Sequence, residues 1–178
     1  MKSGGVAPAL TLLLALQGCG YALVGRGIAT DPSIKRIGVV FKDATGKPGL
    51  DQKVTEKVIE ELLKRGRFDV VQETEGVDAV VQGDILRYLA TPVGFSQQGT
   101  GSQATTQASR YAIILTARVR YAKVGATEPI WQSDSLSVRD ESDVGDSSES
   151  FFDREDQVID RLAASFARTM VSSMLEAF

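Results

Sequence analysis

The spacing of apolar residues predicts two helices and four or five strands. Ile37, Val39 and Phe41 share one side of an extended run, so Ile34–Phe41 reads as a strand. The turn-rich residues Asp43–Gly49 follow. Leu50, Val54, Val58, Ile59, Leu62 and Leu63 then recur at helical spacing, with Lys and Glu between them. They predict a helix over 51–65, with Asp51 at its N-cap and Gly66 stopping it after Lys64 and Arg65. Arg67–Gln72 reads as a short strand and Glu73–Val77 as a turn. Asp78–Leu89 is a longer strand, and Gly83 within it signals a bulge or a close backbone approach. Thr91–Ala108 is poor in complexity and reads as a long polar loop.

Ser109–Val124 has the clearest alternation. Tyr111, Ile113, Leu115, Ala117, Val119 and Tyr121 point one way, and Arg110, Ala112, Ile114, Thr116, Arg118 and Arg120 the other. A turn at 125–127 leads into Pro129–Arg139 as its hairpin partner, and Asp140–Ser150 reads as an acidic loop. The second helix spans Phe152–Phe178, with Asp153 a candidate N-cap. Its stripe is Val158, Ile159, Leu162, Ala163, Phe166, Met170, Val171 and Met174. The order is β-α-β-β-loop-β-β-α. Two helices with one apolar stripe each must cover one face of a mostly antiparallel sheet of four to five strands. The expected class is α+β, a two-layer sandwich.

The beginning of the chain follows a different logic. Lys2, an apolar run from Val6 to Leu16, and then Leu16-Gln17-Gly18-Cys19 form a secretory signal ending in the bacterial lipobox pattern. The Cys19 thiol would carry diacylglycerol, cleavage would fall before it, and the new amine would be acylated. The apolar run is too short to span about 30 Å of hydrocarbon. Two or more acyl chains anchor stably. Gly20, rather than aspartate, after Cys19 favours the outer membrane. The expected division is a signal peptide at 1–18, a lipidated tether at 19–33 that could pair at a sheet edge, and one domain at 34–178.

Composition narrows the chemistry. The formal net charge is −3, and loss of Lys2 with the signal leaves the remainder more acidic, with no basic block. Nucleic acid is therefore not an expected partner. Cys19 is the single cysteine, so no internal disulfide can form. There is no histidine. That removes Ser-His-Asp and Cys-His catalysis and histidine metal ligands together, and no enzymatic activity is expected. Ala44-Thr45-Gly46-Lys47 lacks the glycine spacing of a phosphate-binding loop, and Gly99-Thr100-Gly101 lacks the third glycine. Asp140, Glu141, Asp143 and Asp146 lack calcium-loop spacing. No metal and no cofactor are expected beyond the covalent lipid on Cys19. Glu73 and Glu75 read as a solvated turn.

One constellation remains. Arg110, Arg118 and Arg120 share the second face of the best strand, with Lys123 at its end and Arg87 on the preceding strand. With both helices on the opposite face, this one would be open. Arginine forks bind phosphate bidentately. The residues are equally consistent with an ordinary charged face paired to nearby carboxylates.

The order of segments resembles the LPS-assembly lipoprotein family LptE. The resemblance rests on Gly18-Cys19-Gly20-Tyr21-Ala22-Leu23, Ile37–Phe41, Pro48-Gly49-Leu50 and the helix end Leu63-Lys64-Arg65-Gly66-Arg67-Phe68. It continues through Val77-Asp78-Ala79-Val80-Val81-Gln82-Gly83-Asp84-Ile85, the strand from Tyr111, Trp131 and a long terminal helix. It implies a non-enzymatic, outer-membrane lipoprotein that plugs and helps assemble a large LPS-export β-barrel, LptD. It also implies contact with lipopolysaccharide and outer-membrane lipid, facing the periplasm and the barrel lumen. It places lipid A phosphates near Arg87, Arg118, Arg120 and Lys123. Asp78-Ala79-Val80-Val81-Gln82-Gly83 also looks like a strand of accessory lipoproteins that activate a peptidoglycan synthase or support a secretion complex, and that reading stays open.

Overall fold

The computed structural model describes residues 31–98, 105–143 and 155–176. The signal, Cys19, most of the tether, Gly99-Thr100-Gly101, Asp146 and Asp153 lie outside them. Five strands and two helices follow in the order β1 (Arg36–Asp43), α1 (Leu50–Lys64), β2 (Asp69–Val71), β3 (Ala79–Gln98), β4 (Thr105–Lys123), β5 (Trp131–Asp143) and α2 (Glu155–Glu176). The sheet order is β2-β1-β3-β4-β5. β1 pairs in parallel with β2 and β3, while β3-β4 and β4-β5 are antiparallel, so the sheet is mixed and its longest ladders are antiparallel.

Both apolar stripes close on one sheet face. Leu50, Val54, Val58 and Leu62 of α1 join Ile159, Leu162, Phe166, Met170 and Met174 of α2 in a single core. Ile37, Val39, Val81, Ile85, Ile113, Leu115 and Tyr121 complete it from the sheet. Phe41 meets Phe166 edge to face at 5.9 Å. Leu63 departs from the expected stripe. It lies one residue beyond the 50-54-58-62 row, a turn of about 100°, and is half exposed.

The start of α1 also differs. Its N-cap is Gly49, at φ 76, with no side-chain cap, and Asp51 sits in the first turn instead. Asp43 organises the loop before it, accepting from the Thr45 and Lys47 backbone N–H groups at 3.0 and 2.9 Å. Gly66 ends the helix region at φ 65, the left-handed conformation expected of it.

The largest correction concerns Thr91–Ala108. β3 runs on to Gln98 and β4 begins at Thr105, so most of the expected loop is a paired ribbon. The described side chains there are exposed or half-buried, Val93 and Phe95 included. The ladder shifts register between Ile85 and Arg87, and again on either side of Gly94. β5 likewise extends through Asp140–Asp143, which had read as loop.

Glycine 83 is explained by a neighbour. A Cβ there would fall inside the Phe41 ring, so glycine lets that ring lie flat on β3. The bulge itself sits at Leu86. Gly38 serves a similar end: a Cβ would strike the Glu73 carbonyl, so the loop before β3 can cross close over β1.

Candidate functional site

Because both helices pack on one face, no described helix or strand covers the other face of β3, β4 and β5. Arg118 and Arg120 stand two residues apart on β4, about 7 Å along it. Thr116 continues the row and pairs with Arg87 on β3. All of these side chains are exposed or half-buried at the open face.

Their partners differ. Arg87 has no ion-pair or hydrogen-bond partner among the described residues. Arg118 lies opposite Asp84 in register and has Asp134 at 3.9 Å, with both side chains largely exposed. Arg120 donates through Nη2 to the Thr127 carbonyl at 2.9 Å, a bond that orients the guanidinium without neutralising it. Lys123 is engaged differently, donating to Asp31 Oδ2 at 2.6 Å. That bond, with those from Ser33, holds the Asp31 carboxyl well below the usual carboxylate range. Arg110, which the sequence places on the same face, is tied to Asp143 at 2.6 Å and to Glu141 at 3.9 Å. The strand thus carries neutralised cations at both ends and weakly committed ones in the middle.

A shallow open cavity of about 290 Å³ lies at the end of this face near Lys123. Thr74, Gln82, Arg120 and Lys123 line it over Val80 and Ala122. Its wall is the loop that Gly38 admits. Guanidinium, hydroxyl and amide groups over an apolar floor suit a phosphate or carboxylate attached to something less polar. Sequence reading missed Thr74 and Gln82. Nothing in their local pattern marks them, because the cavity forms only when the loop folds across β1.

The Asp78–Gly83 segment belongs to the fold. Asp78 Oδ2 accepts from the backbone N–H of Lys35 at 2.8 Å and of Arg36 at 2.9 Å. Its own N–H donates to the Arg36 carbonyl at 2.9 Å, and its carbonyl accepts from Val124 at 3.0 Å. It staples the starts of β1 and β3 to the end of β4. At the other end of the sheet, Glu155 accepts from Lys47 Nζ at 2.5 Å and from the Tyr88 hydroxyl at 3.0 Å. This cluster fixes the first turn of α2.

Among the described residues no group of His, Cys, Asp and Glu could hold a metal ion. No helix there is long and apolar enough to cross a membrane.

Known proteins place this architecture. No curated protein matches the sequence. A Caulobacter crescentus CB15 protein is 11% identical, with a TM-score of 0.50, over 77% of this chain and 87% of that one. A Xanthomonas campestris protein gives 11% identity and a TM-score of 0.51 over 80% and 84% of the two chains. Rare lipoprotein B from Shewanella oneidensis is 14% identical over 80% and 96%, with a TM-score of 0.43. The family model described as LptE, lipopolysaccharide assembly, matches residues 34–174, nearly the whole folded domain. This chain belongs to the LptE lipopolysaccharide-assembly family.

Proposed function

We propose that this chain is a lipid-anchored, non-enzymatic subunit of the outer-membrane LPS-export machine. In this reading it is held to the membrane through Cys19, seats in the lumen of an LptD-type barrel and supports that barrel's assembly. Its open sheet face contacts lipopolysaccharide as the lipid passes. The observation that carries the reading beyond family membership is the run Arg87, Arg118 and Arg120. These cations share one face; Arg87 and Arg120 have no carboxylate partner among the described residues, and Arg118 has an exposed one, Asp134 at 3.9 Å, with Asp84 opposite it in register. Such groups are available to phosphate at little desolvation cost.

The alternative of a synthase activator or secretion accessory drew on Asp78-Ala79-Val80-Val81-Gln82-Gly83. Asp78 and Gly83 have structural duties that any protein of this fold could share, so the segment favours no partner.

The test is a mild-detergent pull-down of the tagged, full-length protein from outer membranes, read by mass spectrometry. A large β-barrel is expected at equal stoichiometry. Recovery of a synthase or a secretion ring without a barrel would overturn the reading.

A further inference from the structure

The open face is not uniformly polar. Six large apolar residues are exposed among the described residues, and Leu86, Leu89 and Val93 are three of them, all on β3. Leu86 and Val93 are the residues passed over by the register shifts at Ile85/Arg87 and Pro92/Gly94. Ile85 and Tyr88 pair with the inward-facing Ala117 and Leu115, so Leu86 and Arg87 between them both face outward. Leu89 pairs with Ile114, and Thr91 with Ala112, on that same outward side. Ala112 is 4% exposed although no helix covers it. Its small side chain is covered by its taller neighbours, and the accessible apolar strip, or trough, beside it is Leu86, Leu89, Val93 and the half-buried Ile114.

The trough has a polarity. At one end are Arg87, without an ion-pair partner among the described residues, Arg120, held by the Thr127 carbonyl, and Arg118, which has the exposed Asp134 at 3.9 Å and Asp84 opposite it in register. Along β5 runs a self-neutralised rail in which Arg139 meets Glu141 at 2.9 Å and Arg110 meets Asp143 at 2.6 Å. The other end is a ribbon without charge: no Asp, Glu, Lys or Arg occurs from Tyr88 to Ser109. From Thr116 to Arg110 the trough is about 20 Å long, at roughly 3.4 Å per residue. That length is enough for one extended acyl chain.

We propose that the trough formed by Leu86, Leu89, Val93 and Ile114 seats an acyl chain of the phosphorylated lipid whose headgroup lies at Arg87, Arg118 and Arg120. The inference rests on the lipopolysaccharide reading above and adds the orientation of the lipid along the sheet, head toward Arg120 and chain toward Gly94. The charge arrangement selects this occupant. A second copy stacked on the same face would set arginines against arginines or over the uncharged ribbon, and would neutralise neither set. A single amphiphile with an anionic head matches both ends at once.

The experiment uses full-length lipoprotein in a nonionic detergent, with two probes: intact LPS, and LPS stripped of all its acyl chains, ester- and amide-linked. Leu89→Asp/Val93→Asp is expected to weaken intact LPS about tenfold or more and to leave the stripped probe unchanged. Arg118→Glu/Arg120→Glu is expected to weaken both. If the trough variant binds intact LPS as wild type does while the arginine variant loses it, the inference fails and the lipopolysaccharide reading stands. If the arginine variant also binds normally, both fail. Equal loss of both probes in the trough variant and in the milder Leu89→Ser/Val93→Ser would mean a general disturbance of the fold and would overturn the inference.

Discussion

Asp78 shows how much one exposed carboxylate can organise. Hydrogen bonds from the Arg36 and Lys35 backbone hold its carboxyl below the ordinary carboxylate range. The linkage has a definite sign. The unfolded chain takes up the proton more readily, so this contribution is complete above the unfolded pKa and is lost as pH falls through the folded one. Thermal melts of wild type and Asp78→Asn between pH 7 and pH 2 check this. The variant is expected to melt lower at pH 7 and to show a flatter acid limb. Parallel curves would show that the staple does not contribute this way. Tyr121 is the opposite case. Its hydroxyl is buried with no hydrogen-bond partner among the described residues, and burial pushes its pKa up to about 12. The alternation of β4 announced its inward position but gave no warning of the orphaned hydroxyl. That follows from three-dimensional crowding around it.

At the level of elements, the N-terminus of α2 depends on contacts distant in sequence. Glu155, near a helix start where a negative charge is favoured, joins Lys47 from the loop before α1 and Tyr88 from β3. Burial and the Glu155 hydrogen bond hold the Tyr88 phenol above its usual range. Glu155→Ala should cost about 1–2 kcal/mol of stability, since it removes charge-assisted bonds from a partly buried acceptor. Hydrogen exchange should quicken at the first turns of α2 and leave α1 unchanged. Quickening spread evenly over both helices would argue against a local clamp. The stripes of both helices were legible in the sequence, because each buried side must face one layer. The β3-β4 ribbon was not. Its apolar alternation is confined to Val93 and Phe95 and is broken by Pro92 and Gly94, too little to announce a strand, and it is the backbone ladder that keeps residues 91–98 and 105–108 extended.

At the scale of the whole molecule, one face builds the core and the other is left for a partner. Residues on the open face should therefore affect binding more than folding. Arg118→Glu/Arg120→Glu is expected to lower affinity for LPS while shifting the melting temperature by about 2 °C or less, because Arg118 and its distant acidic partner are solvent-screened. Calorimetry and binding on one sample decide it. A large drop in melting temperature would assign the arginines to the fold. The four cations singled out from sequence do fall near one face, yet they are not equivalent. Lys123 is spent on Asp31, and Arg87, Arg118 and Arg120 are the less committed ones. Pairing across 92 positions of sequence could not be foreseen from either residue alone.

Periodicity by itself determined that two amphipathic helices must share a sheet, since an apolar stripe has no stable alternative to burial. It also determined which face of β4 would be inward, because a strand's side chains alternate strictly. The lack of histidine and of a free second thiol narrowed the chemistry before any fold was known. Tertiary structure decided what local pattern does not encode. The crossing of the loop over Gly38 makes the cavity. The bulges at Leu86 and Val93 turn apolar side chains outward. The ion pairs of Lys123 and Arg110 leave the cations between them available. Each of these depends on which distant segments meet, and that is set by the closing of the core rather than by any one stretch of chain.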